Sequence, residues 1–195
     1  MARLVEPAIA WMAEVHPHSR HLLRTLDWLL ELDPQAGDAL RIAAVTHDAE
    51  RAFPPAEAGP SGADGPISPV FERWHQDRSA RIVGEWLLAH GAEPDFALEV
   101  VSLVSVHEDG GSPEAELLQA ADSLSFLEVQ VEFVAGLVAR GEWSEQAAIA
   151  KLGRMYERIT LPGARELAAP MLNPALERIA EAAQQRTKGE SDGAF

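Results

Sequence analysis

Cysteine is absent from the 195 residues. Disulfides, thiolate metal sites and cysteine nucleophiles are therefore excluded, and the chain suits a reducing compartment. No uncharged apolar run approaches the length needed to cross a bilayer, and the start, Met-Ala-Arg-Leu-Val-Glu-Pro, lacks an apolar signal core. The sequence thus predicts a soluble, cytoplasmic protein without membrane contact. Basic residues are scarce, with 16 Lys and Arg against 31 Asp and Glu and a formal net charge of −15. A surface of that sign repels nucleic-acid backbones, so no nucleic-acid polymer is expected as a partner. A small anionic substrate stays admissible, because a metal centre and a few local arginines outweigh the distant field. Internal repeats and strand-like alternation are also lacking.

What is there is helix. Hydrophobic residues make up 47% of the chain, enough for one compact domain over residues 1–185. Helices are expected at Leu4 to Val15, His18 to Leu32 and Asp38 to Arg51, the last with Leu40, Ala43, Ala44 and His47 at helical spacing. Phe53 to Pro69, dense in proline, glycine and alanine, is a loop. Further helices are expected at Pro69 to His90, from Pro94 to Glu108, and as one long element from Ser112-Pro113 to Arg140-Gly141. Ser144 to Thr160 and Pro162 to Gln185 complete the body, and Arg186 to Phe195 forms a polar, frayed tail. The expectation is an all-α, single-domain bundle of about seven to eight helices.

Metal-ligating residue types recur on the inward side of these helices: His21, His47, Asp48, His75, His107 and Asp122. His107 ends the apolar face made by Val100, Leu103 and Val104. Asp122 lies four residues from both Leu118 and Phe126, and His75 shares a stripe with Phe71, Ile82 and Trp86. Burying an imidazole or carboxylate costs free energy unless it gains a partner, and a cation suits both. Taken singly, His21 reads equally as a surface residue at a helix start, and His75 and His107 as hydrogen-bonded core histidines. Asp122 reads equally as a cap or a partner of arginine. Taken jointly, a metal centre is the best single explanation.

The ordered set also resembles a known family. The string Leu40-Arg41-Ile42-Ala43-Ala44-Val45-Thr46-His47-Asp48 looks like the apolar helix ending in His-Asp that names the HD-domain superfamily. His21-Leu22-Leu23-Arg24-Thr25 resembles that family's first ligand motif, and Leu117-Leu118-Gln119-Ala120-Ala121-Asp122 its closing aspartate segment. His18, one turn earlier, is the alternative to His21, which is preferred because Arg24-Thr25 follows it at the family's spacing. The resemblance covers about residues 18–128. The additional His75 and His107 resemble the binuclear subgroup. That implies two divalent ions bridged by Asp48, with His21, His47 and Asp122 on one and His75 and His107 on the other. Nitrogen and oxygen donors without sulfur suit Fe, Mn or Co.

Such a centre allows two reaction classes. In the hydrolytic one, a metal-activated hydroxide attacks phosphorus in a phosphomonoester or phosphodiester of a small metabolite or nucleotide. Asp48 bridges, Arg78 and then Arg51 are the candidates to bind phosphoryl oxygens, and Glu108 orients water or an imidazole. Surface ion pairs for both arginines, and a plain helix-end carboxylate for Glu108, are the alternatives. In the oxidative class the resemblance is to mixed-valent diiron oxygenases of the HD type that cleave C–C or C–P bonds. There Trp11 and Glu14 stand near a substrate-gating Tyr-x-x-Glu, although an amphipathic helix explains them more simply. The HD-GYP subgroup is disfavoured, since no Gly-Tyr-Pro follows. A third reading is a metal-stabilised module without catalysis, against which the intact ligand set argues. The Phe53–Pro69 loop is either a lid or a tolerated insertion, and Arg154, Tyr156 and Arg158 are expected to serve packing and ion pairing. The oligomeric state is open, a homodimer included.

Overall fold

The computed structural model describes residues 4–53, 60 and 68–192, with side chains as far as 187. Most of the Phe53–Pro69 loop, and with it the lid reading, lies outside the described residues. The last three residues of the tail do too.

Among the described residues all regular structure is helical, as expected. The helices are α1 Val5–Val15, α2 Ser19–Leu32, α3 Asp38–Thr46, α4 Pro69–Ala89 and α5 Pro94–Val104. They continue as α6 Pro113–Val129, α7 Val131–Ala139, α8 Glu145–Glu157 and α9 Pro162–Asp192, with a short 3₁₀ turn at Ala49–Ala52. Local chemistry sets many starts. Pro69, Pro94 and Pro113 occupy first-turn positions, where the missing N–H is not needed. Ser112 Oγ accepts from the Ala115 N–H at 3.2 Å, and Ser144 Oγ from the Ala147 N–H at 3.1 Å.

Four boundaries differ from expectation, and each has a physical reason. The helix expected to reach Arg51 stops at Thr46, and the one expected to reach Glu108 stops at Val104. In both cases a histidine just past the end turns its Nδ1 back onto a terminal carbonyl: His47 onto Ala44 at 3.0 Å, His107 onto Val104 at 2.7 Å. A side-chain donor thereby satisfies a carbonyl left open by the end of the helix. The single long element expected to Arg140-Gly141 divides at Gln130 into α6 and α7. Val129 and Val131 flank the break, and β-branched residues are poor at holding a helix. The last helix runs on to Asp192, into the segment expected to fray. The turn that leads into it is anchored, with Ala182 fully buried and Ala183 packed on the core, so the helix continues past it.

Helix α3 occupies the centre, packed against α1, α2, α5 and α6. Ile42, Ala43, Ala44 and Val45 are all fully buried, so this helix is apolar around its circumference as an interior helix must be. Around it α2 packs on α6, α4 on α5, and α9 on α6, α7 and α8. The His-Asp dipeptide at the end of α3 is thus delivered to the middle of the bundle. No described helix is long and apolar enough to cross a membrane.

Core packing should dominate stability. Leu29 is 0% exposed on α2 and Leu98 is 63% exposed on α5. Leu29→Ala is expected to cost about 2–5 kcal/mol in urea unfolding. Leu98→Ala is expected to stay within about 0.5 kcal/mol.

Candidate metal centre

Five separate segments contribute to one buried cluster. His21 comes from the first turns of α2, His47 and Asp48 from the end of α3, His75 from the middle of α4, His107 from the turn after α5, and Asp122 from the middle of α6. All four imidazoles are at most 3% exposed. Ring centroids lie 5.4 Å apart for His21 and His47, 5.1 Å for His47 and His107, and 5.2 Å for His75 and His107. The expected convergence is therefore present.

Each ring is oriented by a partner on its Nδ1. His47 and His107 donate to the carbonyls of Ala44 and Val104. His75 Nδ1 is 3.0 Å from Glu50 Oε1, and His21 Nδ1 is 2.8 Å from Ser125 Oγ. The Ser125 hydroxyl itself donates to the His21 carbonyl, so its oxygen accepts from the ring. When a ring is neutral with its proton on Nδ1, its Nε2 presents a lone pair inward. The Nε2 atoms of His47, His75 and His107 are buried without a well-formed hydrogen bond. Inward-facing Nε2 atoms directed at carboxylates, with anchored Nδ1 atoms, are the arrangement of ligating histidines.

Two carboxylates complete the set. Asp48 Oδ1 is 2.8 Å from His75 Nε2 and 3.9 Å from His47 Nε2. Asp122 Oδ1 is 3.1 Å from His21 Nε2 and 3.5 Å from His47 Nε2. Donor atoms of His21, His47 and Asp48 lie within 4.8 Å of one another, as do those of Asp48, His75 and His107. Asp48 belongs to both groups. These residues fit a metal ion by donor chemistry, burial and orientation. His18 joins neither group and packs its ring 4.5 Å from Phe133, so His21 is the better placed of the two.

Electrostatics follow from this crowding. Burial raises the Asp48 and Asp122 carboxyls, but neighbouring cations more than offset it and hold both well below the usual range. Arg51 leads for Asp48, and Arg158 for Asp122. Burial pushes His47 down, yet Asp122 and Asp48 lift it to about 9. For His107, burial together with His47 and His75 lowers it to about 4, so that ring is neutral.

A cavity of about 250 Å³ reaches the centre at His21 and Asp48. Phe71, Phe126, Phe133 and Trp143 form apolar walls, and Arg51 and Lys151 bring positive charge. Of the arginines singled out from sequence, Arg51 lines this cavity and donates from Nε to Asp48 Oδ2 at 2.9 Å. Arg78 does not line it. Its Nη2 donates to the Phe53 carbonyl at 2.8 Å, because the side chain runs toward the loop rather than along the His75 face. Glu108 borders the cavity, but its carboxylate is held by Arg158 and lies 3.8 Å from Lys151 Nζ. It orients no imidazole, since the Nδ1 of His107 is bound to Val104. Trp11 stacks on Trp86 at 4.7 Å and Glu14 is exposed, both outside the cavity lining. Arg154 grips Glu72 through two 2.9 Å bonds, and Tyr156 lies under Arg165, as packing roles require.

Four contributors escaped the sequence reading. Arg158, expected only to pack, bonds Asp122, Glu108 and Ser123 with one guanidinium. Lys151 turns into the cavity from α8. Glu50, inside the helix expected to reach Arg51, orients His75. His16, just past the end of α1, donates from Nε2 to the Asp48 carbonyl at 3.1 Å and accepts the His18 N–H at 3.0 Å. Burial keeps that ring low in pKa and neutral. The buried positions of α8 gave a partial signal for Lys151, which lies three residues after Ala148 and four before Met155.

No family model matches the chain, and neither the curated proteins nor the solved structures contain a match.

Since His47 rises from 6.5 to about 9 among the protein's own groups, it carries a proton at neutral pH that an entering cation must displace. Calorimetric titration with manganese or cobalt should show proton release and an affinity rising about tenfold per displaced proton per pH unit up to about pH 9. After chelator treatment the sign reverses. A raised histidine stabilises fully below its unfolded value of 6.5, so melting temperature should fall as pH climbs toward 9. Asp48→Ala should lose bound metal by elemental analysis, whereas a variant retaining full metal refutes the ligand assignment.

Proposed function

We propose that this chain is an HD-type metal-dependent phosphohydrolase acting on a small phosphorylated metabolite or nucleotide. One observation carries the reading: anchored imidazoles turn their Nε2 atoms toward Asp48 and Asp122, and His21 and Asp48 open from that cluster into a cavity also lined by Arg51 and Lys151. His21, His47, Asp48 and Asp122 would hold one divalent ion, and Asp48, His75 and His107 a second. Bound there, the ions would supply Lewis acidity and a water of lowered pKa.

The chain's own residues do the rest. Arg51 is held at its Nε by Asp48 and is 40% exposed, which leaves its terminal nitrogens free to donate to non-bridging phosphoryl oxygens. Lys151 offers a second positive charge from the opposite element. Arg158 clamps Asp122 and Glu108 together, keeping the Asp122 carboxylate charged and fixed in direction. The Nδ1 partners prevent the imidazoles from swinging when an anion enters. A mixed-valent diiron oxygenase would share this donor set. Trp11 and Glu14, the residues that suggested it, lie away from the cavity.

Protein loaded with manganese, cobalt or iron should release phosphate from members of a phosphate mono- and diester panel. Oxygen uptake by a di-iron form without phosphate release would replace this reading with the oxidative one. Arg51→Ala should lower kcat/KM by about 10²-fold at unchanged metal content, the usual cost of one preorganised donor. Arg78→Ala, outside the cavity, should leave turnover near wild type.

A further inference from the structure

The cavity contains more recognition chemistry than a phosphate needs. Two cations line it, Arg51 against Asp48 and Lys151 near Glu108, together with the carboxylates of Asp48, Glu72 and Glu108. Lys151 is 11% exposed, and its nearest carboxylate, 3.8 Å away, is already engaged by Arg158. That ammonium is under-compensated, and it lies 5.6 Å from the Phe126 ring centre. Four aromatic side chains also line the cavity. Phe71, Phe126 and Trp143 are partly buried, while Phe133 is 43% exposed at the rim with its ring against His18. One face of Phe133 packs on His18, and its exposed part stands at the rim of a cavity that also carries two cations, open to a ligand.

We infer that the ligand of this site is an amphipathic anion, one phosphate-type headgroup between Arg51 and Lys151 joined to a flat, uncharged ring that packs on Phe126, Phe133 and Trp143. This rests on the phosphohydrolase reading for the headgroup, and adds the ring. Arg51 and Lys151 match one such headgroup, and the aromatic rings bring no further cation. A ring of one or two fused cycles fits beside the headgroup in about 250 Å³. Phe133, supplied by the helix that begins after the Gln130 break, is then a specificity residue.

The test uses non-hydrolysable probes on the full chain with its metal content measured. Phenylphosphonate should bind about five- to tenfold more tightly than methylphosphonate by calorimetry, the advantage of one aromatic contact. Phe133→Ala, safe for folding at an exposed position, should erase that difference and leave methylphosphonate binding unchanged. Lys151→Met should weaken both probes alike. Equal affinity for the two probes, absence of binding by both, or a ring preference that survives Phe133→Ala overturns the inference. Release of phosphate from phenyl phosphate is scored separately. Ring-selective binding without phosphate release removes the phosphohydrolase reading and keeps the ring site. Phosphate release without ring selectivity does the reverse.

Discussion

Ionised carboxylates in the interior are the constraint around which this bundle is arranged. Asp48 and Asp122 are drawn from different helices into a space lined by imidazoles, where an uncompensated negative charge would destabilise the fold. Compensation comes from two sides. Arg51 and Arg158 approach from the outside, while the rings of His21, His47 and His75 approach from within. The guanidiniums use up one oxygen of each carboxylate and leave the other, Oδ1, facing the imidazoles. An arrangement with one oxygen tied outward and one directed inward suits a cation between the acids and the rings.

The bundle reaches this state through the ends of helices as well as their faces. His47 and His107 both follow a helix terminus and bind back to a carbonyl three residues earlier. The same contact ends the helix and aims the ring. Similarly, the Gln130 break lets α7 leave the line of α6 and bring Phe133 and Val134 to the cavity. Local irregularity and ligand geometry thus have one cause in each case.

Much of this was legible in the sequence. Helical spacing of apolar residues places His47, His107 and Asp122 inward, and the burial of all three agrees. The illegible part has two sources. Periodicity reports which face of a helix is buried, not where the helix ends, so the stops at Thr46 and Val104 and the division at Gln130 were missed. It also says nothing of contacts between distant segments. Arg158 meets Asp122 across 36 positions and Glu108 across 50, so sequence spacing offered only a helix-surface arginine. Arg78 failed for the converse reason: proximity to His75 along α4 was visible, but the direction of its long side chain, toward the Phe53 carbonyl, was not.

The four Nδ1 anchors are of two kinds. Ala44 and Val104 contribute main-chain carbonyls, which survive every side-chain replacement at those positions. Ser125 and Glu50 contribute side chains, which one codon change removes. The centre therefore divides into a half whose aim is set by main chain and a half whose aim is set by side chains. Substitution at Ser125 or Glu50 removes the anchor of one ring, while no substitution at Ala44 or Val104 takes away the carbonyl that holds His47 or His107.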